Sequence, residues 1–222
     1  MSSKMKGPTI TEAQVKTLLD TPFLRVFDLQ YAPDRHYYNA SRRSLEHLAA
    51  VKTDEAFRTM LPDAVTCIVV LRTPGEAPRL MLMREYRYPA GRILTSPPAG
   101  LVDPSDRKEE NPLFAAAKRE IREESGISSA PSRMEVVNPL LFSSPGMTDE
   151  SNALVLAVYD LPDLSQLNQD GAEGSELFDG FKLLTKEEAE ALLRAGRDED
   201  GTFYSVYTWT ALTWFVSGLW EK

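Results

Sequence analysis

The chain has 222 residues, 42% of them hydrophobic, and a formal net charge of −8 at pH 7. This length and composition predict a globular protein with one full core, and the acidic charge argues against a broad nucleic-acid-binding surface. The sequence has no apolar run long enough for a membrane span, no recognisable signal peptide and only one cysteine, Cys67, so a cytoplasmic protein without disulfides is expected.

The N-terminal segment predicts one helix and one strand. Residues 11–20, TEAQVKTLLD, are typical of a short helix. Residues 23–31, FLRVFDLQY, contain enough aromatic and branched side chains for a strand. Residues 44–63 favour neither type.

The central part of the chain is dominated by predicted strands. The segments that predict strands are 63–72, 79–86, 133–142 and 152–161, and residues 92–100 continue extended to the prolines and glycine of PPAG. The sequence TPGEAP between the first two strands predicts a hairpin turn, and the first strand is apolar enough to be fully buried.

Helices are predicted before and after the last of these strands. Asn111 as N-cap, Pro112 at the first helical position and Gly126 as the stop predict a helix between them. A second helix begins with the capping box of Thr185 and ends at a glycine, and the aromatic segment 203–220 predicts a closing helix packed on the sheet. Strands and helices in one chain place it in the α+β class.

Glu120 and Glu124 are the first candidates for chemistry. They lie four residues apart and therefore on one face of the predicted helix, with Glu123 beside them. Like charges at this spacing repel, so either nearby arginines or a bound cation must offset them. For an isolated run of charges, a solvated surface with a pair between Arg119 and Glu123 would be the favoured interpretation.

The surrounding sequence favours a bound cation over a solvated surface. REIREESGI, residues 119–127, follows PPAGLVD, and together they resemble the signature of the Nudix hydrolases, which hydrolyse a nucleoside diphosphate linked to another group. This signature is called the Nudix box, and its C-terminal half matches at every specified position. The N-terminal half is five residues longer than the family pattern and lacks its first glutamate. In the family that glutamate braces the arginine, so Asp106, Glu109 or Glu110 would replace it here.

Two further segments resemble one branch of the family. MREYRYPAGR, residues 83–92, and SSPGMTDES, residues 143–151, occur in the order found in ADP-ribose pyrophosphatases. The resemblance covers residues 64–160. It implies a mixed sheet between helices, residues 1–60 as an N-terminal extension that forms a homodimer and part of the substrate pocket, and residues 61–222 as the Nudix domain.

The resemblance also implies a metal site. Pyrophosphate cleavage needs neutralised phosphoryl charge and an activated water, which oxygen-ligated divalent ions supply. Mg²⁺ prefers carboxylate and carbonyl oxygens, and Mn²⁺ is the alternative ion. The expected ligands are Glu120, Glu124, Glu123 and the carbonyl of Ala99, with Arg119 holding the glutamates in place.

The substrate contacts and the base are expected outside this helix. The resemblance implies that Arg87, Pro145 and Gly146 contact the substrate, and that Glu150 activates the water. Asp149 is the competing candidate for the base. If neither acts, Glu123 or a metal-bound hydroxide would supply the nucleophile.

The expected reaction is hydrolysis of ADP-ribose to AMP and ribose 5-phosphate. Another nucleoside diphosphate sugar or a dinucleotide is the alternative within the same enzyme class. A catalytically silent, ligand-binding Nudix regulator is the alternative from another class, but such proteins typically lose box glutamates, and Glu120, Glu123 and Glu124 are all present here. The expected partners are a small-molecule substrate and a second copy of the chain, with neither nucleic acid nor membrane.

Overall fold

The computed structural model describes residues 7–172, 174 and 176–222. Its strands are β1 Val15–Asp20, β2 Arg25–Ala32, β3 Arg35–Ser41, β4 Ala64–Arg72, β5 Arg79–Arg87, β6 Arg92–Ser96, β7 Ala99–Leu101, β8 Arg133–Phe142, β9 Ser151–Asp160 and β10 Phe178–Leu184. The α-helices are α1 Asp54–Arg58, α2 Pro112–Ser125, α3 Lys186–Ala195 and α4 Val206–Val216. Among the described helices, none has the length and apolarity that a bilayer crossing requires.

The chain folds as two compact units. The first unit comprises residues 1–63 and 140–152, and the second comprises residues 64–139 and 153–222. The chain passes from the second unit to the first within β8 and returns within β9. The boundary near residue 63 lies close to the predicted end of the extension, whose residues 1–6 are outside the described part of the chain. The predicted role of this extension in dimer formation stays a prediction.

The first unit contains a three-stranded antiparallel sheet in the order β1-β2-β3. Its small core consists of Phe27, Leu29 and Leu48. The helix predicted for residues 11–20 is wrong, because only Glu12–Gln14 form a 3₁₀ turn and the rest is β1. Pairing with β2 satisfies the β1 backbone along its length, so sheet formation overrides the weak local preference for a helix.

The second unit is a sheet covered by helices on both faces. The strand order is β10-β5-β4-β9-β8, with β6 beside β5 and β7 beside β4. Alternate residues of β4 enter two different cores. Val65, Cys67 and Val69 pack in the core that contains α2, while Ile68 and Val70 pack in the core that contains α3 and α4. The predicted α+β sandwich is therefore confirmed.

The sheet is mixed. The pairs β10/β5, β4/β5, β4/β7 and β5/β6 are antiparallel. At the two ends of the β4/β9 pair, Asp63 N–H donates to Ser151 and Leu161 N–H donates to Arg72. The first bond joins the start of β4 to the start of β9, and the second joins the two strand ends. The strands β4 and β9 therefore run parallel.

The predicted strands from residue 63 onward are confirmed as β4, β5, β8 and β9, and the strand predicted for 23–31 as β2. The turn at 73–78 and the extended segment 92–100 are also as predicted. Besides β1, the strands β3 and β10 were not predicted, because RHYYNAS and FDGFKLL lack a clear apolar alternation. Their partner strands supply the pairing that their own sequences do not indicate.

Candidate active site

Helix α2 begins and ends where the sequence predicts. Asn111 Oδ1 accepts a hydrogen bond from Phe114 N–H at 3.2 Å, and Pro112 is the first helical residue. At the other end, Gly126 adopts φ +74°, a left-handed conformation that favours glycine. An added Cβ at Gly126 would lie 2.2 Å from the Asn168 side chain. The box helix is thus fixed in length by its own capping residues.

The buried face of α2 carries both apolar and acidic side chains. Ala116, Ala117 and Ile121 pack in the core on one face of the sheet. Glu120 and Glu124 are also buried, with only 7% and 3% of their surface exposed. The solvated-surface interpretation is therefore wrong for these two glutamates. Buried carboxylates are rare without a partner that offsets their charge.

Arg119 connects the elements around these carboxylates. Its Nη1 donates to Glu120 at 2.7 Å and to Glu123 at 3.2 Å. Its Nη2 donates to the Leu101 carbonyl at 2.8 Å and to Asp106 at 2.9 Å. One guanidinium thus binds two residues of the helix, the end of β7 at Leu101, and Asp106 in the loop that follows. This geometry supports the predicted role of Arg119 as the residue that holds the glutamates.

Asp106 replaces the missing glutamate of the family pattern. Of the three predicted alternatives, Asp106 bonds Arg119, whereas Glu109 and Glu110 are exposed. Asp106 is buried and also accepts a hydrogen bond from Asp103 N–H at 2.9 Å. Burial alone would raise the pKa of Asp106, but the bonds from Arg119 and Asp103 outweigh burial and lower it. The extra residues of the box therefore follow Asp106, in the loop before α2.

The charged form of Glu124 is strongly disfavoured in the folded protein. Burial, followed by repulsion from Glu120 and Glu85, raises the pKa of Glu124 to about 9. The hydrogen bond from Ala99 N–H, 3.1 Å from Glu124 Oε2, opposes this shift. This bond brings the backbone of Ala99, whose carbonyl is the predicted ligand, close to Glu124. At neutral pH the site favours whatever neutralises Glu124, either a proton or a cation.

Glu120 is in a similar but milder environment. Burial raises its pKa to about 7, Arg119 opposes the shift, and Glu123 and Glu176 add to it. The carboxylate lies against Gly100, where an added Cβ would be 2.0 Å from the Glu120 carboxyl carbon. A glycine at this position therefore leaves the room that the Glu120 carboxylate occupies.

Glu85 is a candidate site residue that the sequence reasoning missed. It is buried at 8% exposure, and it raises the pKa of Glu124 by repulsion. Burial also raises the pKa of Glu85 itself, while Arg87 opposes the shift. The available signal was the period of two along β5, because Glu85 continues the face of Met81, which packs in the same core as α2.

Arg87, the predicted phosphate contact, forms an ion pair with Glu85 at 2.8 Å. Its side chain is 43% exposed, so one side of the guanidinium is accessible to a ligand. The pair fixes Arg87 at the end of β5. Substrate binding by Arg87 stays a prediction.

The donor set fits a hard divalent cation. Glu120 and Glu124 supply carboxylate oxygens. The backbone of Ala99 lies beside Glu124, where its carbonyl would add a further oxygen, and Glu123 lies on the more exposed edge of the helix. These are the oxygen ligands that Mg²⁺ and Mn²⁺ prefer. Within the described residues, however, no three His, Cys, Asp or Glu side chains are already gathered as a closed ligand set.

Residues 143–151 belong to the first unit. Met147 N–H and Thr148 N–H donate to the Ser144 carbonyl, so Pro145 and Gly146 form a turn as predicted. Tyr37 Oη donates to the Gly146 carbonyl at 2.7 Å and holds the turn in place. Substrate binding by Pro145 and Gly146 stays a prediction.

The two competing acidic residues after this turn differ in environment. Asp149 is buried and accepts hydrogen bonds from Ala49 N–H at 3.0 Å and from Asn39 Nδ2 at 3.4 Å. Glu150 is about one-third exposed and forms an ion pair with Arg42 at 2.6 Å. A base must reach solvent, so this difference favours Glu150 over Asp149.

Comparison with known proteins agrees with the geometry. The sequence matches the NUDIX domain profile over residues 60–206, well over half of the chain. The chain therefore belongs to the NUDIX domain family.

Two curated relatives show the range of similarity. The putative nudix hydrolase 2 of Caenorhabditis elegans is 36% identical over 98 residues, covering 44% of this chain and 40% of that protein. The ADP-ribose pyrophosphatase of Saccharomyces cerevisiae is 25% identical over 126 residues, covering 56% of this chain and 50% of that protein. The chain spans about half the length of the curated relatives it matches.

A solved structure agrees in fold. The crystal structure of an ADP compounds hydrolase superposes with a TM-score of 0.58 at 19% sequence identity. The similarity covers 99% of this chain and 96% of that chain. At this identity the likeness shows the fold alone.

Proposed function

We propose that this protein is a Mg²⁺-dependent hydrolase that splits ADP-ribose into AMP and ribose 5-phosphate. The observation that carries the proposal is the buried pair Glu120 and Glu124 beside Ala99, held by Arg119, in a chain of the NUDIX domain family. The substrate is chosen because a relative is named ADP-ribose pyrophosphatase and a structural neighbour is named ADP compounds hydrolase.

Each carboxylate of the box has an assigned role. Glu120 and Glu124, together with the Ala99 carbonyl, would hold a divalent ion, and Glu123 would bind a second ion or orient a water molecule. When bound, such ions neutralise phosphoryl charge and lower the pKa of water. Arg119 keeps Glu120 and Glu123 in one place, since a single guanidinium donates to both. Positioned charge of this kind contributes most of the catalysis in phosphoryl transfer.

The remaining steps use residues outside the box. Arg87, Pro145 and Gly146 would bind the substrate. Glu150 would accept a proton from water as the water oxygen bonds to phosphorus. The bond between that phosphorus and the bridging oxygen breaks, and the bridging oxygen leaves with the second phosphate. One water is consumed, and two phosphate monoesters are formed.

We also propose that the protein acts as a homodimer in the cytoplasm. The support is in the first unit, where the β1–β2 hairpin exposes Leu18, Leu19, Phe23 and Leu24. Exposed large apolar side chains in one short segment are consistent with an interface. Light scattering coupled to gel filtration tests the assembly, and a monomer at micromolar concentration would contradict it.

A substrate panel tests the proposed reaction. ADP-ribose, a second nucleoside diphosphate sugar and a dinucleotide are incubated with the protein and Mg²⁺, and AMP is measured by chromatography. ADP-ribose should give AMP with the highest kcat/KM, and chelation of the metal should abolish release. The Glu120→Gln protein is the matched control, because it removes charge at constant volume. Equal rates in this variant or in the chelator would contradict the assignment.

A further inference from the structure

The backbone on both sides of Glu150 is anchored by buried polar groups of the first unit. On one side, Asp149 accepts hydrogen bonds from Ala49 N–H and Asn39 Nδ2. On the other, Ser151 N–H donates to Asp63 Oδ2 at 3.0 Å. The position of the Glu150 backbone is therefore fixed before its side chain makes any contact.

The Glu150 side chain is held by polar contacts. Its Oε1 accepts a charge-assisted hydrogen bond from Arg42 Nε at 2.6 Å, and its Oε2 lies 3.4 Å from the Ser143 hydroxyl, which donates to it. The Glu150 side chain is 32% exposed, so the carboxylate is not held in place by a surrounding core. Charge-assisted bonds are shorter and stronger than neutral ones, so Arg42 supplies the main restraint on its direction.

Arg42 itself extends from a fixed backbone. Arg25 Nη1 donates to the Arg42 carbonyl at 3.1 Å. The next residue, Arg43, is buried and donates to both carboxylate oxygens of Asp63 at 2.8 and 2.9 Å. The two adjacent arginines thus differ in role, because Arg43 is directed into the unit and Arg42 toward Glu150.

We propose that Arg42 is a positioning residue that orients the Glu150 carboxylate for proton transfer. The inference rests on the proposed role of Glu150 as the base and adds the group through which that role is set. A carboxylate has about four acceptor sites, so the bond from Arg42 leaves others free to accept a proton from water. The proton passes to Glu150, and Arg42 neither gains nor loses one because a guanidinium stays protonated.

A double-mutant cycle tests the proposal. Arg42→Gln, Glu150→Gln and the double variant are compared with wild type on whichever panel substrate the wild type hydrolyses. Arg42→Gln should lower kcat on the order of tenfold to a hundredfold, the loss typical of a misplaced catalytic group, with KM near the wild-type value. In the Glu150→Gln background the same change should have no further effect. Arg42→Lys should restore part of the kcat, since the charge is kept.

Arg35→Gln is the matched control, because it removes the same charge from an exposed position on β3. It should leave kcat and KM unchanged. A raised KM with normal kcat in Arg42→Gln would overturn the proposal and make Arg42 a substrate contact. Losses that add in the double variant would also overturn it. Full turnover in Glu150→Gln alone would remove Glu150 as the base, a failure that is visible without any change at Arg42.

Discussion

Two buried groups of charged residues in this protein have opposite electrostatic character. In the first unit, Arg43 and Asp63 form a bidentate ion pair that Ser151 completes, which we call the Arg43 cluster. In the second, Glu120 and Glu124 are both buried and repel one another, and we call them the box carboxylates. The first group satisfies its own charges, whereas in the second Arg119 bonds Glu120 and the charged form of Glu124 is disfavoured by burial and by repulsion from Glu120 and Glu85.

This difference separates a structural role from a functional one. A buried ion pair with all its hydrogen bonds made holds backbone segments together and has no capacity left for a ligand. A buried pair of like charges costs stability, and it persists where a ligand offsets the cost. The box carboxylates should therefore respond to a cation, and the Arg43 cluster should not.

The largest expected effect is on turnover. Glu120→Gln and Glu124→Gln should each lower kcat by orders of magnitude, because each removes a charged ligand without changing volume. The folded state should be retained, because the side-chain volume is unchanged. Circular dichroism and melting of the same samples check this. Normal metal-dependent activity in either folded variant would contradict the claim that the box carboxylates, unlike the Arg43 cluster, bind a cation.

The next effect is on stability in the first unit. Asp63→Asn should lower the free energy of unfolding by about 3–5 kcal/mol, because it leaves Arg43 buried without its counter-charge. The matched control is Asp160→Asn, since Asp160 pairs with Arg72 in the same bidentate geometry but on the surface. Chemical denaturation gives both values. Equal losses in the two variants would show that burial of the Arg43 cluster does not determine its contribution.

The pH dependence of stability sharpens the comparison further. Without metal, the folded protein holds protons on Glu124 and Glu120, whose pKa values are about 9 and about 7, against an ordinary value of 4.5. This contribution to stability is fully present below pH 4.5 and is lost as pH rises toward 9. The Tm in chelator should therefore fall across this range, and less so in Glu124→Gln. Asp106, whose pKa is lowered, acts only in the acid range.

Two glycines of the box provide the smallest test. Gly100→Ala should weaken the response to Mg²⁺, because the new Cβ would displace the Glu120 carboxylate. Gly126→Ala should instead lower stability by about 1 kcal/mol or more, since it strains a left-handed residue. Metal titrations of activity and denaturation curves of both variants separate the effects. The same profile in both would contradict the assigned positions.

The sequence predicted α2 in detail because its signals are local. Asn111, Pro112 and Gly126 act within one or two turns, and a helix with such caps depends little on distant contacts. The helix predicted for residues 11–20 was wrong because pairing with β2 decides the structure of β1, and residues 11–20 alone do not show that pairing. Local preference is a weak guide where sheet pairing decides the structure.

The site was predicted in part for a related reason. The box spacing identified Glu120, Glu123 and Glu124, but spacing does not reveal which carboxylates are buried. Residue counting also left open which acidic residue replaces the first glutamate of the box, and only the contact between Asp106 and Arg119 answers that question. Glu85 was missed because a single glutamate at a strand end resembles any surface residue.

The most direct test of the account is the change in Tm on adding saturating Mg²⁺ at pH 8, measured without substrate. Wild-type protein should melt at a clearly higher temperature with Mg²⁺, because the ion binds the folded state and takes the place of the proton on Glu124. Glu124→Gln should lose most of this shift, and Asp63→Asn should keep it despite its lower starting Tm. Equal shifts in wild type and Glu124→Gln, or none in wild type, would contradict the claim that the box carboxylates form a cation site.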